Sequence, residues 1–214
     1  MKKHFYFNGV IIGLGTIGLI INTLQSDNII ESFSYYTTQS NLLIVIFFIY
    51  ISIKEIIKNP VTATDHVIKG MLTVNIILTM VVYHFMLRPL IANIDPAVYE
   101  VGSLRDMIMH YIVPLMVLGH WLIFNLKKHY HPTYPLLWIM QPVLYLTYTT
   151  GYITLGGQYH YGDAYHNYPY FFLDYQTHGF LIVSLYALLI LSTVITLGYS
   201  LYGLQKLYHK VSSG

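Results

Sequence analysis

The sequence predicts an all-α, polytopic membrane protein, a single bundle of six transmembrane helices over residues 1–214, and three observations predict it. Hydrophobic residues make up 55% of the 214 and charged residues only 9%, against about 25% charged in an ordinary soluble domain. The mean hydropathy is +0.53. Apolar stretches long enough to cross a hydrocarbon layer of about 30 Å recur almost from end to end.

The first span, Phe5 to Gln25, follows Met1-Lys2-Lys3-His4 as the apolar core of a signal peptide would. Its end, Ile21-Asn22-Thr23-Leu24-Gln25, lacks the small-x-small cleavage pattern, so it is read as a helix of the bundle. The second span, Thr38 to Ile57, opens on a polar run that follows two tyrosines. The third, Val67 to Ile91, carries His84 and Arg88 near its end, and the fourth, Met107 to Leu126, carries His110 and Pro114. The fifth runs from Tyr134 to Leu155 and the sixth from His178 to Gly203. Joining segments are short except Gly156 to Thr177, which is packed with Tyr, His, Gly and Asp.

Positive loops stay cytoplasmic, which sets the orientation. With the N-terminus inside, the inner segments hold Lys2, Lys3, Lys54, Lys58, Lys69, Lys127, Lys128, Lys206 and Lys210, and the outer ones only Arg88 and Arg105. Acids fall the other way: Glu55 and Asp65 inside, Asp27, Glu31, Asp95, Glu100, Asp106, Asp163 and Asp174 outside. Both termini are therefore expected in the cytoplasm of a multi-pass plasma-membrane protein. The same count gathers the start of span two, the end of span three, the start of span four and the long loop at the outer surface.

The net charge of +2 is too small to imply nucleic acid, and the basic residues follow topology. The absence of cysteine removes disulfides, thiolate nucleophiles and Fe–S ligation. The Tyr159 to His166 segment offers possible metal ligands, without the tight spacing of a zinc motif on a helix. His120 and His178 could pair with His84 or His110 around a haem, but no common spacing supports it. No metal and no cofactor is therefore expected, and the sequence points to no particular protein partner.

His110 lies about 7 Å deeper than Arg105, an ionisable group at the hydrocarbon boundary. Such a group faces the bundle interior and is a functional candidate, the structural alternative being a neutral His bonded between helices. Pro114 has no N–H for the His110 carbonyl, which leaves an acceptor free and favours a kink. Thr37, Thr38, Gln39, Ser40 and Asn41 read either as a helix cap or as the source of a Thr hydroxyl that His110 activates. His84 and Arg88, four apart, share a helix face and serve either as a carboxylate clamp or as an interface anchor.

Three segments in fixed order, Tyr35-Tyr36-Thr37-Thr38-Gln39-Ser40-Asn41-Leu42-Leu43, His110-Tyr111-Ile112-Val113-Pro114-Leu115 and Tyr168-Pro169-Tyr170-Phe171-Phe172-Leu173-Asp174, resemble the androgen-induced gene family and its bacterial relatives. The resemblance extends over nearly the whole chain in helix number and motif order. It implies a six-helix membrane hydrolase of lipid esters, with a Thr nucleophile and a His base. Matching Asn41 to the family's polar residue favours Thr38, whereas matching the preceding aromatics favours Thr37. The third segment implies a site wall or lid at Tyr168, with Asp174 as a possible orienter of His110.

The expected function is thus an intramembrane lipid esterase near the outer leaflet, with Thr37 or Thr38 and His110 catalytic and His84, Arg88, Asn41, Tyr168 and Asp174 binding or orienting the substrate. The alternative is a non-enzymatic membrane protein that binds a lipid or small molecule, or serves as a partner subunit, its polar layer only sealing helix ends.

Overall fold

The structure, a computed structural model, describes residues 2–91, 99–128, 130–161 and 164–212. Asp95 and Asp163, counted above among the outer acids, lie outside the described residues. The chain is mostly helical: α1 (Lys2–Leu24), α2 (Ile29–Ser32), α3 (Tyr36–Ile56), α4 (Ala63–Val82), α5 (Arg88–Ile91), α6 (Leu104–Met107), α7 (Val113–Phe124), α8 (Tyr134–Leu137), α9 (Met140–Thr154) and α10 (Tyr175–Ser212). Two π-helical turns, Tyr83–Leu87 and Ile108–Ile112, join α4 to α5 and α6 to α7 without a break in the rod. The second of them lies just before Pro114, where a kink was expected, and is a local underwinding of the helix of a kind frequent at functional sites.

Among the described residues five helical segments are long and apolar enough to cross a membrane: Lys3–Leu24, Tyr36–Ile56, Ala63–Ile91, Leu104–Phe124 and Tyr175–Ser212. This is an integral, multi-pass membrane protein. The fifth expected span, Tyr134 to Leu155, is not one continuous helix, because it is interrupted at Trp138 and Ile139. The cause is local. Pro142 has no N–H to offer the carbonyl of Trp138 four residues earlier. The side chain of Asn75 donates to that carbonyl instead, at 3.1 Å, and its Oδ1 accepts from Tyr36 Oη at 2.8 Å. A broken helix survives in an apolar bundle only where a neighbour satisfies the freed backbone in this way.

Below the break α8 packs against α10, where Gly198 makes room for Pro135 and the Trp138 ring; a methyl group on Gly198 would lie 3.0 Å from Pro135 Cβ. The other face of Trp138 rests on Gly70, where a methyl would come within 2.5 Å of Trp138 Cζ2. Two further departures from six plain rods stand out. The long loop contains a two-stranded antiparallel hairpin, β1 (Tyr159–Tyr161) and β2 (Ala164–His166). In α10 the backbone turns at Gly179 (φ 76°, ψ 159°), a left-handed value glycine accepts without strain.

The end of the bundle that holds the N-terminus contains a buried polar network. Lys69 Nζ, from α4, donates to His120 Nδ1 and to Asn125 Oδ1, both at 2.7 Å. His120 Nε2 meets Asn8 Oδ1 at 2.9 Å, and Asn8 Nδ2 donates to Glu55 Oε2 at 3.4 Å. His4 Nδ1 closes the chain on Glu55 at 3.0 Å. Gln205 of α10 joins it by donating to the Asn125 carbonyl at 2.9 Å. Such a network is stable in an apolar interior because its members are paired.

Candidate functional site: a carboxylate–histidine pair between two π turns

The opposite end of the bundle carries the predicted site residues. Residues 103–106 form a capped helix start, with Ser103 Oγ accepting from the Asp106 N–H. Asp106, in the first turn, is 1% exposed. Its Oδ2 accepts from the Gly102 N–H at 2.7 Å, and its Oδ1 from Tyr99 Oη at 2.9 Å. Burial, reinforced by the Asp106 charge, pushes the Tyr99 phenol above its ordinary pKa and keeps it a donor. One turn further, His110 Nδ1 lies 2.8 Å from Asp106 Oδ1. A carboxylate on Nδ1 fixes the ring and leaves Nε2 as the reactive nitrogen. No hydrogen bond among the described residues engages that Nε2, and His110 keeps 8% of its surface.

The two π turns face each other and are joined twice. Tyr83 stacks on His110, with centroids 3.7 Å apart and planes 11° from parallel. The next residues pair as well, His84 Nδ1 to Tyr111 Oη at 3.0 Å, and Arg88 Nη1 donates to the same hydroxyl at 3.3 Å. The Tyr83 hydroxyl is buried and makes no hydrogen bond among the described residues.

The start of α3 approaches from the side. Asn41, fully buried, donates from Nδ2 to the carbonyls of Thr37 and Met109 at 2.9 and 3.2 Å, which ties α3 to the residue before His110. Thr37 is half-buried and lines a cavity of about 110 Å³ between α4, α9 and α10, with Thr79, Val82, Tyr145, Tyr170 and Ile190 among its walls. His110 is not in that lining, which includes Val82 and Leu87 on either side of the Tyr83 turn but not Tyr83 itself. Thr38 faces α1, where Asn22 Nδ2 donates to its hydroxyl at 3.2 Å. Neither Thr hydroxyl is hydrogen-bonded to His110.

The third motif meets the first. Tyr170 Oη accepts from the backbone N–H of Tyr36 at 3.0 Å and so caps α3; burial pushes its pKa up to about 12, so it stays a phenol. Tyr168 packs instead on Tyr175 at the rim. Asp174 makes no contact with His110: it caps α10 through the N–H groups of Gln176 and Thr177, both at 3.0 Å, and the Thr177 hydroxyl at 2.6 Å. The carboxylate that orients His110 is Asp106, which the sequence reading counted only as a topological charge. Its signal was the spacing, four residues before His110 on one helix face.

Other arrangements weighed from sequence are otherwise engaged. His160 of the hairpin pairs with Glu31. His120 has both ring nitrogens hydrogen-bonded, so neither is free for haem iron. Among the described residues no group of three His, Cys, Asp or Glu side chains is placed to hold a metal ion.

No protein-family model matches the chain, and neither a curated protein nor a solved structure matches it at a significant level.

Proposed function

We propose that this integral membrane protein hydrolyses lipid esters at the end of the bundle where Asp106 and His110 lie. The observation that carries the reading is the buried Asp106–His110 pair, oriented on Nδ1 and unengaged at Nε2, which is the arrangement of a general base. Thr37 is the better-placed nucleophile of the two candidates. It shares a face of α3 with Asn41, which is anchored to Met109, and it lines the cavity between α9 and α10, whereas the Thr38 hydroxyl is occupied by Asn22.

In this reading His110 Nε2 takes the Thr37 hydroxyl proton as Oγ1 attacks the ester carbonyl, then returns it to the departing alcohol. Water releases the acyl group from Thr37 by the same sequence. No Thr–His hydrogen bond exists without substrate, as is common for catalytic contacts that tighten only in the complex. The apolar walls of the cavity suit a hydrocarbon chain entering sideways from the bilayer. With α8 and α9 together as the fifth crossing, the lysine count puts both termini in the cytoplasm and the site toward the outer leaflet of a bacterial plasma membrane. The resemblance to the androgen-induced gene family supports the reaction class and a Thr–His pair that includes His110, with Thr37 and Thr38 both open and no counterpart for Asp106.

The test is turnover of a panel of long-chain lipid esters, with labelling by a fluorophosphonate probe, on the purified chain and its Thr37→Ala, Thr38→Ala and His110→Ala variants. Loss of both signals in the Thr37 and His110 variants, with Thr38→Ala active, supports the reading. Esters bound but never turned over, with no labelling, replace it by the lipid-binding alternative. An impermeant thiol reagent reaching Tyr165→Cys in intact cells fixes the outer orientation; Tyr165 is 66% exposed at the hairpin.

A further inference from the structure

A groove of about 840 Å³ runs between α3, α4 and the near face of α9. One stripe of α3 forms its floor, from Tyr36 through Leu43, Phe47 and Tyr50 to Lys54, and Leu72 and Leu144 form its sides. None of Thr37, Asp106 or His110 lines it; Tyr36 and Tyr145 form a wall between it and the Thr37 cavity.

Its far end is closed by an ion pair that asks nothing of a ligand. Lys54 Nζ donates to Asp65 Oδ2 at 2.6 Å, and Asp65 also accepts from Tyr50 Oη, the Thr62 N–H and the Thr62 hydroxyl. Gln141, near the other end, is different. Its Nε2 donates to Ser40 Oγ at 3.4 Å, but its Oε1, on a side chain only 9% exposed, has no hydrogen-bond partner among the described residues. In a hydrocarbon layer no water is at hand to satisfy it. From the level of Ser40 to Lys54 the groove is about 21 Å long at 1.5 Å per residue, the length of a long alkyl tail.

We propose that this groove is a binding site for a single-chain lipid alcohol, with its hydroxyl donating to Gln141 Oε1 and its tail lying along Leu43, Phe47 and Leu72 toward the Lys54–Asp65 pair. An apolar groove of this volume is within the range of small-molecule sites, and one polar group at a fixed level sets orientation and register.

The probe is a monoalkylglycerol with a photoreactive diazirine in its tail, whose ether bond no esterase can cleave; the reference is the same chain with both hydroxyls methylated. The full-length protein in lipid nanodiscs is irradiated with each, and the adducts are mapped by mass spectrometry. The glycerol ether is expected to mark residues 43–54 and 140–148 about fivefold more strongly than the methylated probe, the value of one ordinary hydrogen bond. Gln141→Leu should reduce its labelling to the reference level, and Leu144→Trp or Leu43→Trp, each filling the groove, should abolish it. Equal labelling by the two probes, an unchanged signal in Gln141→Leu, or adducts spread over the exposed face of α10 overturns the proposal, whatever the ester assays show.

Discussion

Asp106 and His110 stand one helical turn apart on the same face and are joined carboxylate to ring nitrogen at 2.8 Å, with the carboxylate itself anchored by Tyr99 and Gly102. An ion pair at this spacing on an exposed helix is worth only tenths of a kcal/mol. Here Asp106 is buried and supplied with three donors, and the histidine is stacked on Tyr83, so the pair fixes one orientation and one tautomer.

Asp106→Asn should therefore leave the bundle folded while removing the charge that stabilises a protonated His110. Ester turnover is expected to fall by about 10⁴-fold, the size of effect seen when the carboxylate of a catalytic triad is replaced by an amide. Turnover and thermal unfolding are measured together: a large fall in rate with a small shift in midpoint is the expected pattern. An equal loss in both would make Asp106 a structural group only.

Asn75 holds the broken fifth crossing, and Asn75→Leu removes both the donor to the Trp138 carbonyl and the acceptor for Tyr36 Oη. Each buried group left unpaired costs about 1–3 kcal/mol, so unfolding in detergent should shift well beyond the change produced by a surface substitution. Gly70→Ala acts on the same joint through packing, since its methyl would meet the Trp138 ring at 2.5 Å; it should destabilise the protein, and Gly70→Ala with Trp138→Leu should recover part of that loss.

What the sequence made legible, and what it did not, follows from the range of the interactions. Hydropathy located the spans because membrane insertion is a property of local composition. It passed over the break at Trp138 because Pro142 sits among apolar neighbours and the Asn75 amide that completes the joint is 63 residues away. The motif around Thr37 to Asn41 and the one at His110 were found as strings, and the structure joins them through Asn41 and the Met109 carbonyl. Asp106 was missed because a charge near a span end is ambiguous between topology and function until its partners are seen. Lys69 was read as a marker of the inner face for the same reason, although it is buried against His120 and Asn125.

Asp174 gives a pH-dependent prediction at the start of α10. Burial raises its carboxyl pKa, but hydrogen bonds from the Thr177 hydroxyl and from the N–H groups of Thr177 and Gln176 outweigh this and hold it below the ordinary 3.8. A depressed folded-state pKa adds stability that is fully present above the unfolded value and lost as pH falls through the folded one. Asp174→Ala should cost about 1 kcal/mol near neutrality, as for the loss of a cap, and the difference from the parent chain should vanish in strong acid. Unfolding midpoints of both chains across the acid range check it; a difference independent of pH would assign the effect to packing of the side chain.

Lys69 and His120 stabilise the fold mutually, each through its contact with the other. Lys69 is 7% exposed, and its two close acceptors are His120 Nδ1 and Asn125 Oδ1; the nearest carboxylate in the network, Glu55, is reached only through Asn8 and His120. Lys69→Met leaves both acceptors without a donor, and His120→Leu leaves a buried charge with one partner fewer and Asn8 Oδ1 unpaired. Each single variant should therefore be strongly destabilised. The double variant replaces charge and imidazole with apolar groups in an apolar bundle, and substitutions of that kind in other proteins are often neutral or stabilising. The double variant is accordingly expected to be less destabilised than the sum of the singles, with a coupling of about 1–3 kcal/mol measured by a double-mutant cycle on unfolding in detergent. Additive losses would mean that the network is a set of independent contacts and that Lys69 is held by Asn125 alone.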